Sequence, residues 1–299
     1  MILTTASAAA YVERLRAARD PSPHTLRAYA SDLRDYARFV AARALCPGEG
    51  ETVLAYAGHL IGERAAAPRT LRRRMACLRG FYRDLVRTGA IARSPFAELE
   101  MQLPRARSLP RTLSRGEARR LAALASARAF DRSRPLDARA FPAAILVLLS
   151  LGLRVAELVA LRPGDFAPDG GALRVRGKGR RERCVFVVDA RLRTLVASLA
   201  DRSGGGPLLA PGGEWTTQAV RRRLRAFAAE AGIGRRVTPH MLRHTCATLL
   251  LEDGVDLRVL QRLLGHENIA TTALYAHVGD AALKTALERA ELLSGLTSG

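Results

Sequence analysis

Lysine is nearly missing from this chain. Of 48 basic residues only Lys178 and Lys284 are lysines. Cysteine is scarce as well: Cys46, Cys77, Cys184 and Cys246 stand far apart and form no Cys-x-x-Cys pair. That spacing excludes a disulfide framework and a thiolate zinc site, and it reads as reduced thiols in a cytosolic protein. No apolar run reaches the ~20 residues of a membrane-spanning helix. The longest, residues 141–153, fits a core helix and not membrane insertion. The first residues lack the basic start and apolar run of a signal peptide. No acidic cluster has metal-ligand spacing, so neither a metal nor another cofactor is expected.

Arginine is what the chain has. The net charge of +20 calls for an acidic polymer as partner, with nucleic acid ahead of a membrane surface. A genome-wide arginine bias, which the alanine richness also suggests, is the plainer source of the same charge. A length of 299 residues fits two domains.

The first part reads as helical. Tyr11, Val12 and Leu15 mark one amphipathic segment, and Ser22–Pro23 opens a second in which Leu26, Tyr29, Leu33, Tyr36 and Phe39 share a face. A third helix is expected near Thr52–Glu63. A fourth starts at Pro68, with Leu71, Met75, Leu78 and Leu85 inward. Its remaining surface carries Arg72, Arg73, Arg74, Arg79 and Arg83. These are either a solvated basic face or phosphate contacts, and the charge of the chain favours contacts. Pro95, Pro104 and Pro110 then break the pattern, so residues 93–112 read as a linker between domains at 1–92 and 113–299.

Ser114 and Glu117 form a capping-box pattern that starts the second domain. The apolar helix 141–151 ends at Gly152. Arg154 then heads the segment RVAELVAL. Set among apolar residues, Arg154 needs a buried anion or carboxylate. A structural pair with Glu157 and a phosphate clamp oriented by Glu157 are the two readings. Alternation at Leu173 and Val175, the turn GKGR and a return strand over Cys184–Val188 make a hairpin. Lys178 sits at its tip. Arginine does not release its proton in a protein, lysine can, and a general acid must. Chance retention is the alternative. Further on, Thr216 or Thr217 opens a helix carrying Arg221, Arg222, Arg223 and Arg225, which faces either DNA or solvent.

Residues 238–275 concentrate the chemistry. Thr238 caps a helix with Pro239 at its first position. His240 and Arg243 then share a face near an end that favours anions. Asp256 caps the next helix, with Leu257, Leu260 and Leu264 facing a core. Gly265 stands at the C′ position, so His266 follows directly on a helix end. Tyr275 comes in the next segment. Asp280 opens a last helix with Leu283, Leu287 and Leu293 on one side.

Singly, these residues are commonplace. Together, HMLRH (240–244), LLGH (263–266) and Tyr275 resemble the C-terminal motif block of the tyrosine recombinases, or phage-type integrases, and most of all the Xer group. GLRVAEL resembles the first arginine motif of that family, and the lysine hairpin matches its catalytic turn. SPHTLRAYASDLRDYARFV resembles its SAM-like core-binding domain. The resemblance implies a mainly α fold with a small antiparallel β-sheet, in which a four-helix core-binding domain precedes the catalytic domain.

It further implies a clamp around double-stranded DNA and a tetramer on two duplexes, with a second recombinase as one option. The implied chemistry has Tyr275 attack a phosphodiester to form a 3′-phosphotyrosyl bond. Arg154, Arg243 and His266 stabilise the transition state, and Lys178 protonates the leaving 5′-oxygen. His240 either accepts the tyrosine proton or donates to the phosphate. The last helix packs on its own chain or, as in the family, on a neighbouring protomer. Chromosome-dimer resolution is the expected role. A phage or mobile-element integrase, a type IB topoisomerase-like enzyme and a non-catalytic DNA-binding protein are the alternatives.

Overall fold

The computed structural model of the chain describes residues 4–19, 21, 23–103, 111–167, 171–177, 182–209, 215–265 and 280–297. These form two compact units, 1–108 and 109–299.

The first unit contains α1 (Thr5–Arg19), α2 (Pro23–Ala42), α3 (Gly50–Gly62) and α4 (Pro68–Arg87). Its core is aromatic as much as aliphatic: Tyr36, Tyr56, Phe81 and Tyr82 are buried beside Leu33, Leu60, Leu71 and Leu78. A buried phenol must find a partner. The Tyr82 hydroxyl donates to the Pro47 carbonyl and lies in hydrogen-bond contact with the Tyr36 hydroxyl, 3.2 Å away. Beyond α4, Phe96 joins this core, and Leu99, Met101 and Leu103 pack against it. The start of the segment expected as linker is therefore part of the first unit. Pro104 and Pro110 lie outside the described residues.

The second unit is built around α6 (Leu136–Leu151), which is buried at every position from Ala140 to Leu149. A helix apolar all round belongs in a core, and each fully buried large side chain contributes roughly 1.5–3 kcal/mol. The helix starts five residues ahead of Phe141, where the apolar run begins, because Leu136 also packs against the core. α5 (Arg115–Ala129) lies along it and carries the expected capping box. The Ser114 N–H donates to Glu117 at 2.8 Å, and the Glu117 N–H donates to the Ser114 hydroxyl at 3.2 Å.

After α6 come α7 (Val155–Ala160), a 3-10 turn at Pro163–Asp165, and the strands β1 (Ala172–Arg176) and β2 (Glu182–Phe186). The two strands pair antiparallel in the register Leu173↔Val185, Val175↔Arg183. The return strand thus begins two residues earlier than the apolar run suggests, since backbone pairing extends to Glu182.

Then follow α8 (Ala190–Arg202), α9 (Thr217–Glu230), α10 (Pro239–Glu252), α11 (Leu257–Leu264), α12 (Asp280–Ala290) and α13 (Leu292–Thr297). Sequence patterning did not resolve α8, although Asp189 caps it by accepting from the Leu192 N–H at 2.7 Å. The expected inward stripe of α11 needs one correction. Leu257 is 55 % exposed, because the buried stripe runs through Val259, Leu260, Leu263 and Leu264, off its first-turn face. The last helices pack in cis: Leu283, Leu287, Leu292, Leu293 and Leu296 are buried in the core of the second unit. Among the described residues no helix is long and apolar enough to cross a membrane.

Candidate active site

Three helix ends meet in the second unit. Gly152 ends α6 in the left-handed conformation, φ 58°, and frees its carbonyl. The N-terminus of α10 is capped by Thr238, whose hydroxyl accepts from the Met241 N–H at 3.3 Å. α11 ends at Gly265, φ 63°, the C′ glycine that its position in the sequence called for.

The last carbonyls of α11 have no partner within the helix and carry its negative end. Three arginines from three other elements occupy them. The Arg183 Nε donates to the Leu263 carbonyl at 2.8 Å. The Arg243 Nη2 donates to the Leu264 carbonyl at 2.5 Å, and its Nη1 to the Gly152 carbonyl at 2.7 Å. The Arg154 Nη2 donates to the Gly265 carbonyl at 3.2 Å.

Beneath them lies Glu157, only 5 % exposed. One of its oxygens accepts from the Arg154 N–H at 2.7 Å, the other from the Arg154 guanidinium at 2.8 Å, and Arg183 donates to both at 2.9 Å. Burial pushes this carboxyl up. The hydrogen bonds from Arg183 and Arg154 outweigh burial and hold its pKa at about 2. Arg243 is shifted against its charged form. Burial, and then the nearby charge of Arg154, lower it to about 10, which leaves it charged at neutral pH.

The two expected arginines thus come together, in unequal settings. Arg243 is 4 % exposed and bound on two sides. The Arg154 side chain is 45 % exposed, yet it meets the buried carboxylate it was expected to need, Glu157. The reason is geometric: Arg154 is the N-cap of α7, so its stem leaves the core at the helix end while Glu157 holds one edge of its fork. Its open edge can take an anion.

His240 is exposed on the first turn of α10. Its ring meets His244 edge-on, with centroids 4.4 Å apart. Burial and the Arg243 charge depress the pKa of His244 and favour its neutral form. Lys178, His266 and Tyr275 lie outside the described residues. His266 follows Gly265 in the sequence, and β2, the strand that follows Lys178 in the sequence, is fastened to Glu157 and α11 through Arg183.

Arg183 and its pairing with Glu157 escaped the sequence reading. A signal existed, because Arg183 is in phase with Val185, buried on the inward face of the strand, and with Val187, buried just beyond it. A cation on that stripe demands a partner. In a chain so rich in arginine the signal was drowned.

Of the basic residues expected at DNA, Arg74 is committed to the fold. It pairs with Asp35 and Asp32, donates to the Tyr56 hydroxyl at 2.7 Å and is 15 % exposed. Arg73 pairs with Asp32. Arg72 is exposed on α4, and Arg79 is exposed with its guanidinium over the Phe96 ring at 5.4 Å. On α9, Arg221, Arg222 and Arg223 are exposed, and the Arg223 guanidinium lies over the Phe141 ring at 4.3 Å. Among the described residues no group of three or more His, Cys, Asp or Glu is placed to hold a metal ion.

Comparison with known proteins bears on this geometry. Residues 112–282 match the profile of the Phage integrase family, and residues 8–89 that of the Phage integrase N-terminal SAM-like domain. The chain is 36% identical over 287 residues to "Tyrosine recombinase XerD" of Rhizobium meliloti (strain 1021), covering 92% of each. It is 38% identical over 277 residues to "Tyrosine recombinase XerC" of Pelobacter propionicus, covering 88% of each. In fold it resembles XerH site-specific recombinase bound to palindromic difH substrate in a post-cleavage complex. There the TM-score is 0.69 at 20% identity, over 95% of this chain and 84% of that one.

Proposed function

The chain belongs to the phage integrase family and is a tyrosine recombinase, an enzyme that cuts and rejoins DNA strands; from that premise we propose how its own residues act. Tyr275 attacks the scissile phosphodiester, forms a 3′-phosphotyrosyl bond and releases a 5′-hydroxyl. The covalent link conserves the energy of the broken bond, so rejoining needs no nucleotide hydrolysis. Arg154, Arg243 and His266 offset the charge that grows on the non-bridging oxygens. Lys178 gives its proton to the leaving 5′-oxygen, and His240 takes the proton of the tyrosine. A 5′-hydroxyl from a second duplex then attacks the phosphotyrosine and exchanges strands.

The observation that supports this reading best is the arrangement of Arg154 and Arg243 on consecutive carbonyls, Gly265 and Leu264, at the residue preceding His266. Similar identity to proteins named XerC and XerD favours resolution of chromosome dimers in the cytoplasm. The working assembly is then four protomers on two double-stranded DNA sites. Arg72, Arg79, Arg221 and Arg222 serve as phosphate contacts.

A nicked suicide substrate tests the chemistry. Wild-type protein is expected to accumulate a covalent protein–DNA adduct, and Tyr275→Phe none. An adduct formed by the Tyr275→Phe protein overturns the assignment. Joining of two labelled duplexes then separates recombination from simple strand relaxation.

A further inference from the structure

We propose that Arg183 is a positioning residue for strand cleavage. It holds Glu157 under Arg154 and ties down the end of α11, so that the phosphate-binding groups are set before DNA arrives. The proposal rests on the reading of Arg154, Arg243 and His266 as those groups.

Arg183 uses all three guanidinium nitrogens at once. Nη1 and Nη2 each meet one oxygen of Glu157 at 2.9 Å, and Nε meets the Leu263 carbonyl at 2.8 Å. Only a planar fork satisfies that geometry; an ammonium has no such shape. The side chain is 12 % exposed, so it does not face DNA itself. It also packs against the residue bonded to His266. A Cβ placed on Gly265 would stand 3.2 Å from the Arg183 Nη1 and 3.3 Å from its Cδ. One side chain thereby links β2, the carboxylate that aligns Arg154, and Gly265, the residue before His266 in the sequence.

A purely structural role makes a different forecast. Replacing a member of a buried ion pair by an apolar residue lowers stability through the stranded partner, and the loss disappears when both partners are neutralised. A positioning role adds a defect in chemistry at full DNA occupancy.

The test measures single-turnover adduct formation at saturating suicide substrate, together with DNA affinity and thermal melting. The variants are Arg183→Met, Arg183→Lys, Glu157→Gln and the double variant Arg183→Met/Glu157→Gln. Arg183→Met is expected to slow adduct formation by about tenfold or more at neutral pH, while the dissociation constant for DNA moves by less than about threefold. Arg183→Lys recovers part of the rate. In the Glu157→Gln background, Arg183→Met slows the reaction further by less than about threefold, because the two act through one contact. In the Arg183→Met protein the rate gains an acid limb absent from wild type, since protonation of Glu157 then releases Arg154.

The proposal is overturned if Arg183→Met cleaves at the wild-type rate, or if its loss equals its loss of DNA affinity. It is also overturned if the defect is as large in the Glu157→Gln background with an unaltered pH profile. Should Arg183→Met not fold, Arg183→Lys carries the same comparison: a full wild-type rate and profile from it sinks the proposal. The wild-type and Tyr275→Phe arms report separately on the nucleophile. An error there shows as no wild-type adduct or a persistent Tyr275→Phe adduct, whatever Arg183 does.

Discussion

Arg243 donates to the carbonyl of Gly152 at 2.7 Å, so an arginine of α10 is steered by the last turn of α6. Gly152 allows this because it sits at φ 58° and carries no side chain of its own. A Cβ there would lie 2.7 Å from the Leu264 Cδ2 and 3.3 Å from the Cys246 Sγ, both buried. Gly152→Ala is therefore expected to cost about 1–3 kcal/mol in urea denaturation, from left-handed backbone strain and overpacking. It should lower cleavage by more than that loss explains, because the carbonyl moves with the backbone. Unchanged stability and cleavage would show that Gly152 has no such role.

Lys178 is expected to matter only where the leaving oxygen needs a proton. Lys178→Ala should reduce adduct formation on an ordinary phosphodiester by about 10²–10⁴-fold, the usual contribution of a positioned acid. A substrate with sulfur in place of the 5′-bridging oxygen leaves as a stable thiolate and should restore most of the rate. An equal defect on both substrates would move Lys178 from acid to phosphate binding. Full cleavage of the ordinary substrate would remove it from the chemistry.

Arg74 and Arg221 separate fold from DNA contact. Arg74 is held by Asp35, Asp32 and Tyr56, so Arg74→Ala withdraws a cation that the two carboxylates share with Arg64 and Arg73 and should lower stability by about 1–3 kcal/mol. Arg221 is exposed on α9. Arg221→Ala should leave melting unchanged, weaken DNA binding and reduce the salt slope of the binding constant by about one. A salt slope identical to wild type would place Arg221 away from the phosphates.

Local rules carried much of the architecture. Thr238–Pro239, Asp256, Gly265 and the Ser114–Glu117 box all mark helix ends where the chain makes them, because caps depend on neighbours in sequence. What those rules missed depends on partners far along the chain. Glu157 meets Arg183 across 26 positions, and Arg183 meets Leu263 across 80. Leu257 obeys the spacing of an apolar stripe yet points to solvent, since periodicity fixes a face but not which neighbour covers it. The partner of an arginine is equally opaque. Arg221 and Arg223 belong to one basic run, but only Arg223 is stacked on Phe141.

The charge state of Glu157 gives the last prediction its sign. Its pKa in the folded chain is about 2, against an ordinary value of 4.5, so folding favours the carboxylate. Such a group stabilises the fold above its unfolded pKa and loses that contribution as pH falls toward the folded value. The shift corresponds to roughly 3 kcal/mol at neutral pH, lost between about pH 4.5 and pH 2. Glu117, held at about 2 first by its hydrogen bond from Arg235, adds to the same acid limb. Thermal melting of wild type should therefore fall steeply across that window. Glu157→Gln should start lower at pH 7, because two arginines lose their anion, and then fall less steeply, so that the two curves converge toward about pH 2. Parallel curves would mean that the carboxyl titrates alike in the folded and unfolded chain. The cluster of arginines would then owe its order to the α11 carbonyls alone.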